Sequence, residues 1–250
     1  MGTGLRITVV IPTFAEVENL PKLVSALFSL PLNLKAIIVD DNSPDGTGRV
    51  ADSLAEAHPD RLRVIHRLGK LGLRTAYLSG FKEALDMDSE VIGQMDADFS
   101  HDPSALVGMA AQLPAYDAVF GSRYVAGGRV DECWPVWRKV LSAFGNYYAR
   151  TILDLPLRDV TTGFRLWRRE SLLRMPLERI SSSGYVFLVE MAYLAHCLDY
   201  HLFEYPIHFQ DRQWGRSKMS PYIQMEAAVH VWRVRWSYRD LRRRKPIPQG

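Results

Sequence analysis

Short β-branched runs alternate with longer amphipathic stretches through the first half of the chain, and this alternation limits the possible folds more than any other feature. The runs predict strands: RITVVIP, LKAIIVD, RLRVIHR, EVIGQMD and YDAVFGS. The intervening stretches carry apolar residues at helical spacing: VENLPKLVSALFSL, TGRVADSLAEAH, LRTAYLSGFKEAL and PSALVGMAAQL. Repeated strand and helix units predict an α/β domain with a central, mostly parallel sheet flanked by helices.

The second half is less regular. It predicts a glycine-containing loop (VAGGRVDECWP), helices from about Trp137 to Leu153 and from about Tyr185 to Cys197, a strand (HLFEYPIHF) and a loop (DRQWGRSKMSP). An aromatic and basic helix over about residues 220–241 precedes a basic tail, 242–250. Because no Gly/Ser-rich or Pro-rich linker interrupts the chain, we expect one domain over residues 1–241.

Composition narrows the class of protein. Of the 250 residues 47% are hydrophobic, which is enough for a substantial core and excludes a disordered chain. Cys133 and Cys197 lie far apart without metal-ligand spacing, so neither a disulfide framework nor a zinc site is expected, and a reducing cytosol fits. No run of about eighteen apolar residues occurs, and we expect a protein that is neither exported nor membrane-spanning.

Charge is distributed unevenly. Residues 1–122 carry 10 Lys and Arg against 16 Asp and Glu, a net of −6, whereas residues 123–250 carry 21 against 12, a net of +9. The first half, about 6–125, therefore suits a cation, and the second, about 126–219, suits anionic groups.

An acid pair follows the fourth predicted strand. Asp96 and Asp98 of QMDADFSHDP stand at positions i and i+2, so both side chains point to one side, at a separation that suits a shared divalent cation. Alternatively, Asp96 only ends the strand and Asp98 begins a turn. Asp102 precedes Pro103 and a helical run, which is typical of a helix N-cap.

Two further loops follow predicted strands, where a parallel sheet binds its ligands. In IIVDDNSPDGTG, Asp41 is the better candidate ligand for a base or ribose, whereas Asp40 is equally consistent with a hydrogen-bonded residue at the end of the sheet. In IPTFAEVEN, Phe14 suits stacking on a base and Glu16 suits its N–H groups, although ordinary loop residues give the same pattern. Arg67 and Lys70 of HRLGKLG are either site residues or solvated charges.

A series of blocks in fixed order resembles the family 2 glycosyltransferases of the GT-A fold, and more narrowly the dolichol-phosphate and polyprenol-phosphate mannose synthases. The blocks span about residues 7–222: VVIPTFAEVENL, VDDNSPDGTG, GKLGLRTAY, MDADFSHDP, GSRYVAGG, WPVWRKVLSAFGN, DVTTGFR, GYVFLVE and EYPIHFQDRQWGRSKMS. The resemblance implies inverting transfer of mannose from GDP-mannose to a polyprenyl or dolichyl phosphate, with Mg²⁺ or Mn²⁺, on the cytoplasmic side of a membrane and without nucleic acid. UDP-glucose as donor, or a non-catalytic nucleotide-sugar binding subunit, are the alternatives.

The resemblance also implies roles for single residues. The donor-binding set is Pro12, Phe14, Glu16, Val39, Asp41, Lys70, Asp96, Ala97, Asp98, Arg212 and Lys218. The metal-binding set is Asp96, Asp98 and Ser100, with Ser100 standing where some relatives have glutamine. The acceptor phosphate is assigned to Arg123, Arg138, Ser142 and Asn146, and the catalytic set to Asp96, Asp98, Arg123 and Arg138.

The acceptor set also has a geometric basis, because Arg138, Ser142 and Asn146 recur every four residues and share one helix face. Asp159 and Glu190 are expected either to orient sugar or cationic groups or to pair with nearby arginines, and Arg74 stands where relatives commonly have glycine.

The C-terminal helix is suited to a membrane surface, since Trp232 and Trp236 lie one turn apart among arginines. A core-packing helix is the alternative, and a small membrane anchor subunit is a possible partner.

Overall fold

The computed structural model describes residues 4–210 and 221–242, and of residues 221–227 it describes the backbone alone. The strands are β1 (Arg6–Thr13), β2 (Asn33–Asp40), β3 (Leu62–His66), β4 (Val91–Gln94), β5 (Ala118–Ser122), β6 (Arg129–Val130), β7 (Arg165–Arg168), β8 (Leu202–Pro206) and β9 (His208–Phe209). The helices are α1 (Leu20–Phe28), α2 (Thr47–Ala57), α3 (Leu73–Asp86), α4 (Ala105–Gln112), α5 (Val136–Leu153), α6 (Arg169–Arg174), α7 (Gly184–Cys197), α8 (Pro221–Ser237) and α9 (Arg239–Arg242).

Seven strands form one sheet in the order β3-β2-β1-β4-β7-β5-β8. All neighbours run parallel except β7, which is antiparallel to both β4 and β5. The predicted mostly parallel sheet flanked by helices is thus confirmed. Because β7 and β8 come from the second half of the chain, both halves contribute to one sheet.

Alternation along the central strands explains why helices cover both faces. Val9 and Val10 are both fully buried, but they belong to different apolar clusters, one on each side of the sheet. The cluster on the Val10 side includes residues of α3, α5, α7 and α8, and the cluster on the Val9 side includes residues of α1, α2 and α4. The carboxyl ends of β1, β2 and β4 meet at one edge, since Thr13 lies opposite Asp40 and Val10 opposite Gln94.

The second half departs from the prediction in its small elements. Strand β7 and helix α6 were not predicted, and the single predicted strand HLFEYPIHF is divided into β8 and β9. Strand β9 pairs with β6, which lies inside the segment predicted as a loop. Gly128 is required before β6, because a Cβ there would lie 2.5 Å from the carbonyl oxygen of Ser122.

The C-terminal helix is shorter than predicted and breaks before α9. One of its sides packs into the core through Val231 and Val234, and Tyr238 at the break is buried as well, as the core-packing alternative requires. Its other side leaves Trp232 and Trp236 46% and 72% exposed, as a membrane-surface helix requires. Within the described ranges, no helix is both long and apolar enough to cross a bilayer.

Candidate active site

The loop after β1 brings two predicted donor residues together. Phe14 lies under Lys70, whose Nζ is 3.9 Å from the ring centroid. Glu16 accepts a hydrogen bond from Asn19 Nδ2 at 2.7 Å, and its N–H donates to Thr47 at 2.9 Å. Ala15 between them has a positive φ of 62°. The loop is therefore fixed by hydrogen bonds, with an aromatic ring and a cation at the carboxyl edge of the sheet.

The two acids after β2 have different partners. Asp40 is saturated by Thr13 Oγ1 at 3.1 Å and by the N–H and hydroxyl of Ser43 at 3.1 and 2.6 Å, which fits its interpretation as a residue that closes the sheet end. Asp41 instead forms an ion pair with Arg67 at 2.8 Å, with both side chains buried. Arg67 is thus not a solvated charge, and that alternative was wrong.

The electrostatics of Asp41 follow from this position. Burial raises the pKa of Asp41, although the cations of Arg67 and Lys70 oppose the increase. Val39, also assigned to the donor site, is fully buried and pairs with Pro12 across β1 and β2. Its side chain therefore belongs to the core, and any contact with a donor would come from its backbone.

The acid pair lies in the loop after β4. Asp98 Oδ1 accepts a hydrogen bond from the Ser100 N–H at 3.1 Å, and Asp98 and Ala97 are only 3% and 4% exposed. Tyr77 OH lies 3.5 Å from Asp96 Oδ1. Gly163 approaches Asp96 from the loop before β7, where a Cβ would lie 3.3 Å from Oδ1. Only glycine keeps that approach open without a shift.

Two buried polar atoms beside the acid pair test whether the loop fits a divalent cation. Ser100 Oγ and His101 Nε2 have no hydrogen-bond partner among the residues that the structure describes. Within those residues no three His, Cys, Asp or Glu side chains converge, so a divalent ion at this loop would need ligands besides the two carboxylates. Mg²⁺ is commonly held by one or two carboxylates together with water and substrate phosphates. The loop fits such an ion, with Asp96 and Asp98 as ligands and Ser100 beside them.

His101 was not predicted as a site residue. It is 1% exposed and stacks on Phe164 at 5.0 Å between ring centroids, while the Asp96 N–H lies 3.4 Å from its Nδ1. Burial lowers the pKa of His101, so the ring is neutral near pH 7. Its position three residues after Asp98 is the feature of the sequence that could have identified it.

Two of the four predicted acceptor residues, Arg123 and Asn146, meet at Thr161. Arg123 Nη2 and Asn146 Nδ2 both donate to Thr161 Oγ1, at 2.8 and 3.0 Å. Asn146 Oδ1 also accepts from the N–H groups of Val160 and Thr161 at 2.9 and 3.3 Å. The Tyr124 hydroxyl donates a hydrogen bond to Ser142 Oγ at 2.8 Å. The structure therefore brings Arg123, Ser142 and Asn146 to the junction of β5, α5 and the loop before β7.

Arg123 is already engaged by a carboxylate. Its Nε and Nη2 donate to Asp159 at 2.7 and 2.8 Å, and Asp159 is fully buried. Asp159 was expected either to orient a sugar or cationic group or to pair with a nearby arginine, and the structure shows the ion pair with Arg123. Arg138 lies one turn before Ser142, with its guanidinium 3.8 Å from the centroid of Trp134.

Two other singled-out residues support the fold around this site. Glu190 is fully buried and accepts from the Ser182 N–H at 2.8 Å and from the Tyr238 hydroxyl at 3.0 Å, so it ties the C-terminal helix to α7. Arg74 donates to the carbonyl oxygen of Ile180 at 3.0 Å, which accounts for this cation without a donor phosphate. Arg212 and Lys218 lie outside the described residues.

Arg165 holds the loop between the two halves of the site. Its guanidinium is fully buried and donates to the carbonyl oxygens of Val160, Thr162 and Leu188 at 2.8 to 2.9 Å. Burial lowers the pKa of Arg165 to about 9, so it stays charged at neutral pH. Sequence reasoning missed it, because only the fold shows that this arginine points inward from β7.

We expect Arg165→Met to lower the free energy of unfolding by about 3 kcal/mol or more, because each buried carbonyl left without a donor costs about 1–3 kcal/mol. Urea unfolding followed by circular dichroism measures the change. The exposed Arg129→Met is the matched control and should change stability by less than about 0.5 kcal/mol. Equal stability of the two variants would contradict the role given to Arg165.

Comparison with known proteins agrees with this architecture. Residues 8–175 match the sequence model of Glycosyl transferase family 2. The chain is 42% identical over 233 residues to the polyprenol monophosphomannose synthase of Mycolicibacterium smegmatis, covering 92% of this chain and 88% of that protein. It is 40% identical over 232 residues to the undecaprenyl-phosphate mannosyltransferase of Micrococcus luteus, covering 93% and 94%.

Solved structures share the fold at low sequence identity. A mannosyltransferase from Pyrobaculum calidifontis, in complex with GDP-Man and Mn²⁺, has a TM-score of 0.57 at 16% identity, over 98% of this chain and 77% of that one. The glucosyl-3-phosphoglycerate synthase of Mycobacterium tuberculosis, with Mn²⁺, UDP-glucose and phosphoglyceric acid, has a TM-score of 0.62 at 16% identity, over 94% and 80%. With the family match covering well over half of its length, the chain belongs to glycosyltransferase family 2.

Proposed function

We propose that the protein transfers mannose from GDP-mannose to the phosphate of a polyprenyl or dolichyl phosphate, with inversion at the anomeric carbon, at the cytoplasmic surface of a membrane. The observation that carries this proposal is the acid pair Asp96 and Asp98, set at the same sheet edge as the Phe14, Asp41 and Lys70 loops. The relatives' names support a mannosyl donor and a polyprenyl phosphate acceptor for this site.

The donor half accounts for nucleotide and diphosphate binding. Phe14 offers a ring face for the base, and Asp41 offers a carboxylate for its N–H groups or for the ribose hydroxyls. A Mg²⁺ or Mn²⁺ ion held by Asp96 and Asp98, with Ser100 beside it, would act as a Lewis acid that neutralises charge developing on the departing diphosphate. Lys70, above Phe14, supplies a cation on the same side. Arg212 and Lys218 are proposed as further diphosphate contacts.

The acceptor half accounts for the nucleophile. Because the second pKa of a phosphate monoester is about 6, its oxygen is already ionised near pH 7 and needs no general base. What the protein must supply is positioning and charge, and Arg138, Ser142 and Asn146 follow one another along α5 at one-turn spacing. Arg123 adds a fixed cation at the end of β5, held in place by Asp159. We assign catalysis to Asp96, Asp98, Arg123 and Arg138.

The experiment that tests this function is transfer of labelled sugar into an organic-extractable product. Polyprenyl phosphate is supplied with GDP-mannose or with UDP-glucose, in Mg²⁺ or in chelator. Label from GDP-mannose that chelator abolishes, and a β-linked product by NMR, are expected. Label from UDP-glucose alone would mean that the donor is UDP-glucose and not GDP-mannose. No label from either donor would favour a nucleotide-sugar binding subunit.

A further inference from the structure

Helix α5 exposes a continuous stripe of large apolar side chains, which we call the apolar ridge. It consists of Val136, Trp137, Val140, Phe144 and Tyr147, which are 60% to 75% exposed. At 3.6 residues per turn these five positions fall within an arc of about 100° on one side of the helix. Soluble monomers rarely expose contiguous apolar patches of this kind unless the patch binds something.

The ridge continues onto α8. The ring of Phe144 lies 6.3 Å from that of Tyr148, and Trp232 Nε1 donates to the Tyr148 hydroxyl at 3.0 Å. Trp232 and Trp236 are themselves exposed, while Val231 and Val234 on the same helix are buried. Two packed helices thus present one outward aromatic surface, with α5 contributing the larger part.

The charge beside the ridge favours an anionic surface. Apart from Arg138 on the acceptor side, α5 carries Lys139 and Arg150 and no acidic residue, and residues 228–237 of α8 contain Arg233 and Arg235 and no acidic residue. Anionic headgroups attract such a surface by about 1 kcal/mol per cation. Two copies of this chain joined through the same surface would bring these cations together, which disfavours a dimer.

A bilayer that bound the apolar ridge would have its headgroups at the level of the predicted acceptor residues. Ser142 and Asn146 lie on the opposite side of α5 from the ridge, directed toward Tyr124 and Thr161. An amphipathic helix enters the bilayer by about 5–10 Å on its apolar side, and a helix is about 10–12 Å across. Its far side therefore comes level with the headgroups, where the phosphate of a lipid lies.

We propose that the apolar ridge of α5, extended by Trp232 and Trp236, docks the protein on an anionic lipid bilayer and so sets the acceptor residues at the height of the lipid phosphates. The proposal rests on the proposed function for the identity of the substrate, but docking itself is measured without any substrate.

The test uses the Val140→Asp/Phe144→Asp double variant of the full chain. Binding is measured by sedimentation with phosphatidylcholine vesicles in which about 30% of the lipid is phosphatidylglycerol. The variant should bind at least about tenfold more weakly, because burial of each apolar side chain strengthens binding by a factor of about ten or more. Leu173→Asp, at an exposed apolar position on α6, is the matched control and should bind like the parent.

A second readout separates docking from folding and from chemistry. With a short-chain, water-soluble prenyl phosphate as acceptor, the double variant should transfer sugar within about twofold of the parent, whereas with acceptor embedded in vesicles its transfer should fall at least about tenfold. A parent that does not bind vesicles, or a variant that binds equally well, would overturn the proposal and favour a separate anchor subunit. A parental dimer in light scattering that the variant dissociates would assign the ridge to a second copy. Vesicle binding through the ridge without transfer to any acceptor would leave the docking surface standing and remove the proposed function.

Discussion

Asp98→Asn should lower sugar transfer by about 1000-fold while leaving the fold intact. Asparagine has the same shape and keeps an oxygen that accepts from the Ser100 N–H, so the loop retains its hydrogen bond. What is lost is one of the two charges available to the divalent ion. A metal ion that stabilises charge on the leaving group contributes several kcal/mol, and each 1.36 kcal/mol is a factor of ten in rate.

The control for Asp98 lies four residues further along the same loop. Asp102 is exposed and accepts from the Ser104 N–H at 2.9 Å, but α4 begins at Ala105 with Ser104 in the N-cap position, so the predicted N-cap role of Asp102 was wrong. Asp102→Asn should retain transfer within about twofold, because the amide oxygen still accepts from the Ser104 N–H and the residue is not among the proposed metal ligands. Mn²⁺ affinity, measured by the loss of its electron paramagnetic resonance signal on binding, should fall for Asp98→Asn alone. Unchanged affinity and rate in that variant would remove Asp98 from the metal site.

The first half of the fold was predictable because its central strands, β1, β2 and β4, are mostly buried on both faces. A buried parallel strand such as β1 has a nearly continuous apolar run, and VVI together with the following Pro and Thr marks both the strand and its end. Strand β7 lacks that signature. It reads RLWR, and its arginines are polar in the sequence yet Arg165 is fully buried between β4 and β5. That environment arises only because β7 inserts between β4 and β5, which lie far from it in the sequence.

The site shows the same division. Residues at strand ends, such as Phe14, Asp41 and Asp96, were predicted because a parallel sheet collects its carboxyl ends at one edge. His101 was not predicted, and the choice between a site residue and a solvated charge stayed open for Arg67, since the burial of both side chains depends on neighbours from other parts of the chain. The apolar ridge was also missed. Its residues have ordinary core composition, and only the packing of α5 shows that this side of the helix faces outward.

Arg123→Met should lower the free energy of unfolding by about 3–5 kcal/mol at pH 7, because it leaves the fully buried Asp159 carboxylate without its partner. Burial alone would raise the pKa of Asp159, but Arg123 and the hydrogen bonds it donates outweigh burial and hold that pKa below its usual range. A carboxyl group whose pKa is lower in the folded state stabilises the fold at pH values above its ordinary pKa of about 4. That stability is lost as the pH falls through the pKa of the folded state. The gap between parent and variant should therefore be largest near neutrality and narrow below about pH 4.

A double-variant cycle separates the pair from the loss of either side chain. Arg123→Met combined with Asp159→Asn removes both charges, so it should be more stable than Arg123→Met alone, with a coupling energy of about 1–3 kcal/mol by urea unfolding. Arg63→Met, which breaks an exposed ion pair with Glu83, is the control and should cost less than about 1 kcal/mol. Because the pair also places Arg123 beside Thr161, the double variant should regain stability without regaining transfer. Additive losses of stability would mean that Arg123 and Asp159 do not stabilise the core as a pair. Full sugar transfer in the double variant would mean that the pair does not serve the acceptor.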